Sequence, residues 1–79
     1  ESIVQNNINS WLAKLETKQR EVVVRRFGLH GYERATLEEV GAELGVTRER
    51  VRQIQMDALK KLRRIIEGSG YNADAVFRF

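Results

Sequence analysis

Side chains able to hydrogen-bond to the edges of nucleic-acid bases are concentrated in one short segment. Arg48 and Arg52 carry forked donors that match guanine O6 and N7. Glu49 can accept from cytosine N4, and Gln53 can pair with adenine N6 and N7. At the start of a helix, such residues are typical of a helix that reads the major groove of DNA. This segment is therefore the first candidate for a functional site.

The charge distribution points the same way. The 79 residues carry a net charge of +3 and have a pI near 9.7. Residues 1–47 and 65–79 each carry a net −1, whereas residues 48–64 carry +5. A basic segment between near-neutral flanks is expected for a protein that binds a polyanion, and a solvated helix face is the alternative.

Hydrophobic periodicity predicts helices throughout the chain. The spacing predicts a first helix over residues 2–14, followed by a second helix capped by Thr17 and ended by Gly28. Residues 28–35 contain two glycines and are predicted to form a loop. The tail is expected to add one more turn around Ala73–Phe77.

The middle of the chain has the signals of two short helices joined by a turn. Thr36 and Glu39 have the spacing of a capping box, and Gly45 can take the left-handed backbone that ends a helix. Gly41 costs roughly 1 kcal/mol relative to Ala inside a helix, which a close packing contact would explain. A helix capped by Thr47 then buries a stripe, ending near Gly68: Val51, Ile54, Ala58, Leu62 and Ile65. These spacings predict a helix-turn-helix, with an ordinary helical hairpin as the alternative.

The opposite face of the last helix should be exposed. Glu49 in the midst of arginines would repel phosphates, so reading bases explains it better than general affinity does. A salt bridge with Arg48 or Arg52 is the alternative for Glu49. Arg50 is better placed for a phosphate contact. The centre of the exposed face is predicted to hold Glu49, Gln53, Met56 and Lys60.

Composition argues against other classes of protein. There is no cysteine, and His30 is the one histidine, so the sequence offers no metal site, nucleophile–base pair or cofactor loop. We therefore expect neither an enzyme nor a cofactor. No apolar run approaches the length of a membrane span, and we expect a soluble, cytoplasmic protein. The predicted fold class is all-α, a compact four-helix domain over residues 1–79 with a helix-turn-helix and no sheet.

The sequence TLEEVGAELGVTRERVRQIQMDALKKLR, residues 36–63, closely resembles region 4.2 of sigma-70-family RNA polymerase sigma factors. The preceding LETKQREVVVRRFGLHGYERA, residues 15–35, resembles region 4.1. The resemblance divides the chain into region 4.1 (about 1–35), the helix-turn-helix of region 4.2 (about 36–65) and a C-terminal tail (68–79). It implies that the whole chain folds as a winged-helix-like DNA-binding domain. Primary sigma factors carry Glu and Lys where this chain has Gln55 and Asp57. These departures and the ending GYNADAVFRF resemble the stationary-phase, sigma-S type.

The resemblance implies a bacterial domain that directs transcription initiation. It would bind the promoter −35 element in double-stranded DNA as a monomer, while docked on the β-subunit flap tip of RNA polymerase. It implies base contacts for Arg48, Glu49 and Gln53. It implies a base or backbone contact for Arg52 and a backbone contact for Arg50. The DNA-binding candidates also include Thr36 and Thr47.

The resemblance also implies protein partners. Lys60 and Arg63 match positions where the family meets activators or the C-terminal domain of the α subunit. Candidates for the flap-tip pocket, with core packing as the alternative for each, are Val23, Phe27, Leu29 and Leu62. Two other functions stay open: a stand-alone helix-turn-helix regulator that binds as a dimer, and a protein-interaction domain such as a docking site for an anti-sigma factor.

Overall fold

The computed structural model of the chain describes residues 2–74, with side chains described from residue 7 onward. Within this range the backbone forms four helices, α1 (Ser2–Ala13), α2 (Thr17–Phe27), α3 (Leu37–Leu44) and α4 (Arg48–Gly68). No strand occurs in residues 2–74, so the predicted all-α, four-helix fold class is confirmed. The turn predicted around Ala73–Phe77 lies outside the described residues beyond position 74.

The connection between α1 and α2 corrects the predicted cap. Backbone hydrogen bonds from Lys14 to Trp11 and from Leu15 to Leu12, both 3.1 Å, close the last turn of α1. Glu16 is then the first extended residue, and its N–H donates to the side chain of Gln19 at 3.2 Å. The prediction that Thr17 caps α2 is therefore wrong by one residue. Gln19, three positions after Glu16, reaches back and accepts from the backbone N–H of Glu16 at the start of the helix.

The predicted helix-turn-helix is present between α3 and α4. Thr36 Oγ1 accepts from the N–H of Glu39 at 3.1 Å, and the Glu39 carboxylate accepts from the N–H of Thr36 at 2.8 Å. Gly45 ends α3 with a left-handed backbone, φ 75°. A Cβ atom on Gly41 would lie 2.7 Å from the carbonyl oxygen of Val46, closer than real Cβ contacts allow. The glycine inside α3 is thus explained by the approach of the turn.

Two clusters of buried side chains hold the helices together, and α4 contributes to both. The N-terminal half of α4 packs Val51 and Ile54 into the cluster that joins it to α2 and α3. The C-terminal half packs into a larger cluster that it shares with α1, α2 and the chain after α4. Ile66 is fully buried and Ile65 only partly, because positions 58, 62 and 66 continue one row of the helix. The predicted stripe is therefore corrected at its last member.

Polar contacts also fix α4 against α2. The half-buried Arg26 donates from Nε to Gln55 Oε1 at 2.7 Å and from Nη1 to the carbonyl of Ala35 at 2.6 Å. One guanidinium therefore joins α2, the end of the loop and α4. Next to it, Arg25 donates to Glu43 of α3 at 3.0 Å, and its guanidinium lies 4.6 Å from the ring centroid of Tyr32. These contacts connect α2 with the helix-turn-helix.

Candidate nucleic-acid interface

The first two turns of α4 present a row of polar side chains to solvent. Thr47 caps the helix, since its Oγ1 accepts from the N–H of Arg50 at 3.1 Å. The inward positions of these turns are taken by Val51, which is fully buried, and by Ile54. The remaining positions therefore face outward: Arg48, Glu49, Arg50 and Gln53 are exposed, and Arg52 is partly exposed. The predicted arrangement of buried and exposed sides is confirmed.

Glu49 and Arg52 form a paired unit within this row. Arg52 donates from Nε to Glu49 Oε1 at 3.0 Å and from Nη2 to Glu49 Oε2 at 2.6 Å. The hydrogen bond from Arg52 is the main cause that lowers the pKa of Glu49 below that of an ordinary glutamate. The salt bridge predicted as the alternative for Glu49 is thus present in the structure.

The ion pair leaves part of the Glu49 carboxylate unoccupied. A carboxylate offers about four lone-pair positions, and Arg52 occupies two of them. Glu49 is mostly exposed, so a base amino group can reach the remaining positions. The third donor contact of Arg52 is with Met56 Sδ at 2.9 Å, which further restricts the guanidinium. The two side chains therefore orient each other on the surface of α4.

Gln53 and Arg50 lie on two sides of the exposed Asp57. Gln53 Nε2 donates to Asp57 Oδ1 at 3.4 Å. Arg50 and Asp57 line a small notch that also includes Lys18, from the first turn of α2. Lys18 was not a candidate in the sequence, and no local pattern could have found it, because only packing brings α2 beside α4.

The two candidate threonines are both helix caps. Each Oγ1 accepts from a backbone N–H of its own helix, at 3.1 Å in Thr36 and in Thr47. A hydroxyl that accepts in this way keeps its own O–H for donation. Both residues are exposed, so this donor is accessible from solvent at each helix start.

The candidate partner residues occupy different environments. Val23 and Leu62 are fully buried in the core, so core packing accounts for both in this structure. Phe27 and Leu29 are partly buried against the same cluster and keep some exposed surface. The two candidates on α4 are Lys60, which is exposed, and Arg63, which is partly exposed. Arg63 pairs with Glu67 at 3.4 Å and with Asp74 at 2.9 Å.

Across residues 2–74 no three His, Cys, Asp or Glu side chains are grouped so that they could hold a metal ion. His30 is an exposed loop residue whose Nε2 lies 2.9 Å from Asn9 Oδ1. None of the helices described is both long and apolar enough to cross a membrane.

Comparison with known proteins agrees with the arrangement of the helices. The family model for sigma-70, region 4, matches residues 11–64. RNA polymerase sigma factor RpoS of Coxiella burnetii is 55% identical over 73 residues, which is 92% of this chain and 21% of that protein. RNA polymerase sigma factor SigA4 of Synechococcus elongatus is 48% identical over 61 residues, or 77% of this chain and 20% of that protein. The RNA polymerase sigma-B factor of a Nostoc species is 42% identical over 73 residues, or 91% of this chain and 22% of that protein.

The chain thus spans about a fifth of the length of these relatives. The family match extends from Trp11 in α1 to Arg64 in α4, and so includes the whole helix-turn-helix. On this match, the chain belongs to the sigma-70 region 4 family.

Proposed function

We propose that this domain recognises the −35 element of bacterial promoters as part of an RNA polymerase sigma factor. The observation that carries the proposal is the outward row on the first two turns of α4, opposite Val51 and Ile54. A helix so placed in a helix-turn-helix enters the major groove with its N-terminal residues against the base edges. Arg48, Glu49 and Gln53 would contact bases there, joined by Arg52, which could instead contact the backbone.

Contacts with the DNA backbone would fix the position of α4 in the groove. Arg50 belongs to the outward row and lines the notch that also includes Lys18, so both can reach a phosphate. Thr36 and Thr47 add hydroxyl donors at the two helix starts. Phosphate contacts of this kind give affinity without sequence preference, and they make binding depend on salt.

The domain would work in the bacterial cytoplasm while bound to RNA polymerase. Phe27 and Leu29 keep partly exposed apolar surface, which supports docking of the β-subunit flap tip there. Lys60 and Arg63 lie further along α4 than its first two turns. They are the proposed contacts for activators, the α C-terminal domain or anti-sigma factors. The resemblance to RpoS supports a stationary-phase role. A stand-alone dimeric regulator is not favoured, and gel filtration that gives a monomer would argue against it.

Footprinting on promoter DNA tests the proposal. The chain should protect the −35 element at low salt and should not protect a scrambled duplex of equal length. Arg50→Ala should weaken the protection, whereas Arg64→Ala should change it little. Arg64 has the same charge on the same helix but lies about 21 Å further along the axis. Equal protection of promoter and scrambled DNA would overturn the proposed function.

A further inference from the structure

We propose that Asp57 sets which base Gln53 prefers, by fixing the direction in which the Gln53 amide points. Asp57 thus acts as a positioning residue for base recognition. The inference rests on the proposed function, since it assumes that Gln53 faces a base edge. It adds a residue that would not itself touch the base.

The contact between Gln53 and Asp57 determines which end of the Gln53 amide faces the carboxylate. Asp57 lies one turn after Gln53 on α4, and its Oδ1 is 3.4 Å from Gln53 Nε2. A carboxylate only accepts hydrogen bonds, so the amide must turn its NH₂ group, and not its oxygen, toward Asp57. Unlike most glutamine orientations, this one is therefore determined by the chemistry of its neighbour.

The orientation of the amide determines which groups Gln53 offers to DNA. One N–H of Gln53 is directed at Asp57, which leaves the second N–H and the carbonyl oxygen for a base. That combination of one donor and one acceptor matches adenine, which presents N7 as an acceptor and N6 as a donor. Guanine presents two acceptors, O6 and N7, and would require the amide to turn its carbonyl away. Asp57 therefore favours adenine over guanine at the base read by Gln53.

The size of the effect follows from the exposure of the pair. Both side chains are exposed and the contact is long, so it resembles the solvated i,i+4 glutamine–aspartate pairs of isolated helices. Such pairs favour the hydrogen-bonded arrangement of the two side chains by about twofold. A lysine at position 57 would donate to the Gln53 oxygen and turn the NH₂ group outward. The ratio of affinities for adenine and guanine should then differ by about fourfold between the unsubstituted chain and Asp57→Lys.

The experiment measures relative affinities of duplexes that differ at a single base pair. Gln53→Ala first identifies the base pair whose preference depends on Gln53. Competition binding then gives the ratio of affinities for adenine and guanine at that pair. Changes in overall charge affect both duplexes equally and cancel in this ratio. Glu38→Gln is the matched control, because it removes one negative charge from an exposed side chain at the start of α3.

We expect Asp57→Ala to lower the ratio about twofold, Asp57→Lys to lower it further, and Glu38→Gln to leave it unchanged. A ratio that stays the same in both Asp57 variants would overturn the inference while leaving the proposed function intact. An equal shift in Glu38→Gln would also overturn it, since charge would then be the cause. Absence of any base preference in the unsubstituted chain would instead overturn the proposed function, and the inference with it.

Discussion

Both carboxylate oxygens of Glu49 accept hydrogen bonds from the guanidinium of Arg52, which lies three residues later on the exposed side of α4. The pair brings opposite charges together on a helix that is otherwise strongly basic. Arg52 thereby balances the charge of Glu49, the acidic side chain in the first turn of α4. Glu49 keeps the lone pairs that a base amino group needs.

This pair predicts a measurable change in the titration of Glu49. Arg52→Ala should raise the pKa of Glu49, because the hydrogen bond from Arg52 is the largest cause of its lowered value. Since the pKa is lowered in the folded state, the contribution of the pair is complete at neutral pH. It is lost as the pH falls through that lowered pKa. Carboxyl-detected NMR measures the midpoint.

Arg48→Ala is the matched control for this titration. Arg48 lowers the pKa of Glu49 only through its charge, and less than Arg52 does, so its removal should give the smaller shift. A midpoint that Arg52→Ala leaves unchanged would show that the pair does not persist in solution.

The contact between α3 and the turn predicts a stability change at Gly41. Gly41→Ala gains about 1 kcal/mol in helix propensity but forces its Cβ to within 2.7 Å of the Val46 carbonyl unless the backbones separate. We expect a net loss of roughly 1–2 kcal/mol in the free energy of unfolding in urea, because overpacking costs more than propensity returns. Gly68→Ala, where a Cβ meets nothing within 4 Å, should leave stability unchanged or slightly higher. Equal effects of the two substitutions would contradict the close approach.

The contact between Arg26 and Gln55 predicts a second stability change. Gln55→Ala removes the acceptor of a half-buried guanidinium and should cost roughly 1–3 kcal/mol in urea unfolding. Gln55→Glu keeps the acceptor and adds a negative charge opposite Arg26, so stability should be retained or increased. Gln53→Ala, at an exposed position nearby, should change stability by less than about 0.5 kcal/mol. A similar loss in Gln55→Ala and Gln53→Ala would mean that the contact does not stabilise the fold.

Local signals in the sequence are sufficient to predict the helix-turn-helix. The capping box at Thr36, the tight approach at Gly41 and the left-handed Gly45 depend on residues no more than five positions apart. The outward row on α4 was predictable for the same reason, since helical periodicity alone separates Val51 from Gln53.

Contacts between distant residues could not be predicted in this way. Arg26 and Gln55 are 29 positions apart, and their hydrogen bond exists only because α2 packs beside α4. Val23 and Leu62 are apolar residues whose complete burial depends on the same packing. The cap of α2 was misplaced because a glutamate outside the helix took the place expected for Thr17.

The roles of Glu49 and Arg50 should separate in binding to promoter variants. Glu49→Ala should change the preferred base at one position by roughly 1–3 kcal/mol, because a carboxylate that accepts from a base discriminates among base edges. Arg50→Ala should weaken binding to all sequences about equally and reduce the slope of log affinity against log salt by about 1. Titrations of each variant at several salt concentrations measure both effects. The same pattern in the two variants would contradict this division of roles.

Site-directed crosslinking tests most directly whether the outward side of α4 faces base edges in the major groove. The chain contains no cysteine, so Gln53→Cys introduces a single thiol. Lys14→Cys, exposed beyond the end of α1, provides the control. We expect Gln53→Cys to form a disulfide with a thiol tethered to a base in the major groove of the −35 element, and Lys14→Cys to form none. Equal crosslinking of the two variants, or crosslinking of Gln53→Cys only from the minor groove, would contradict the account.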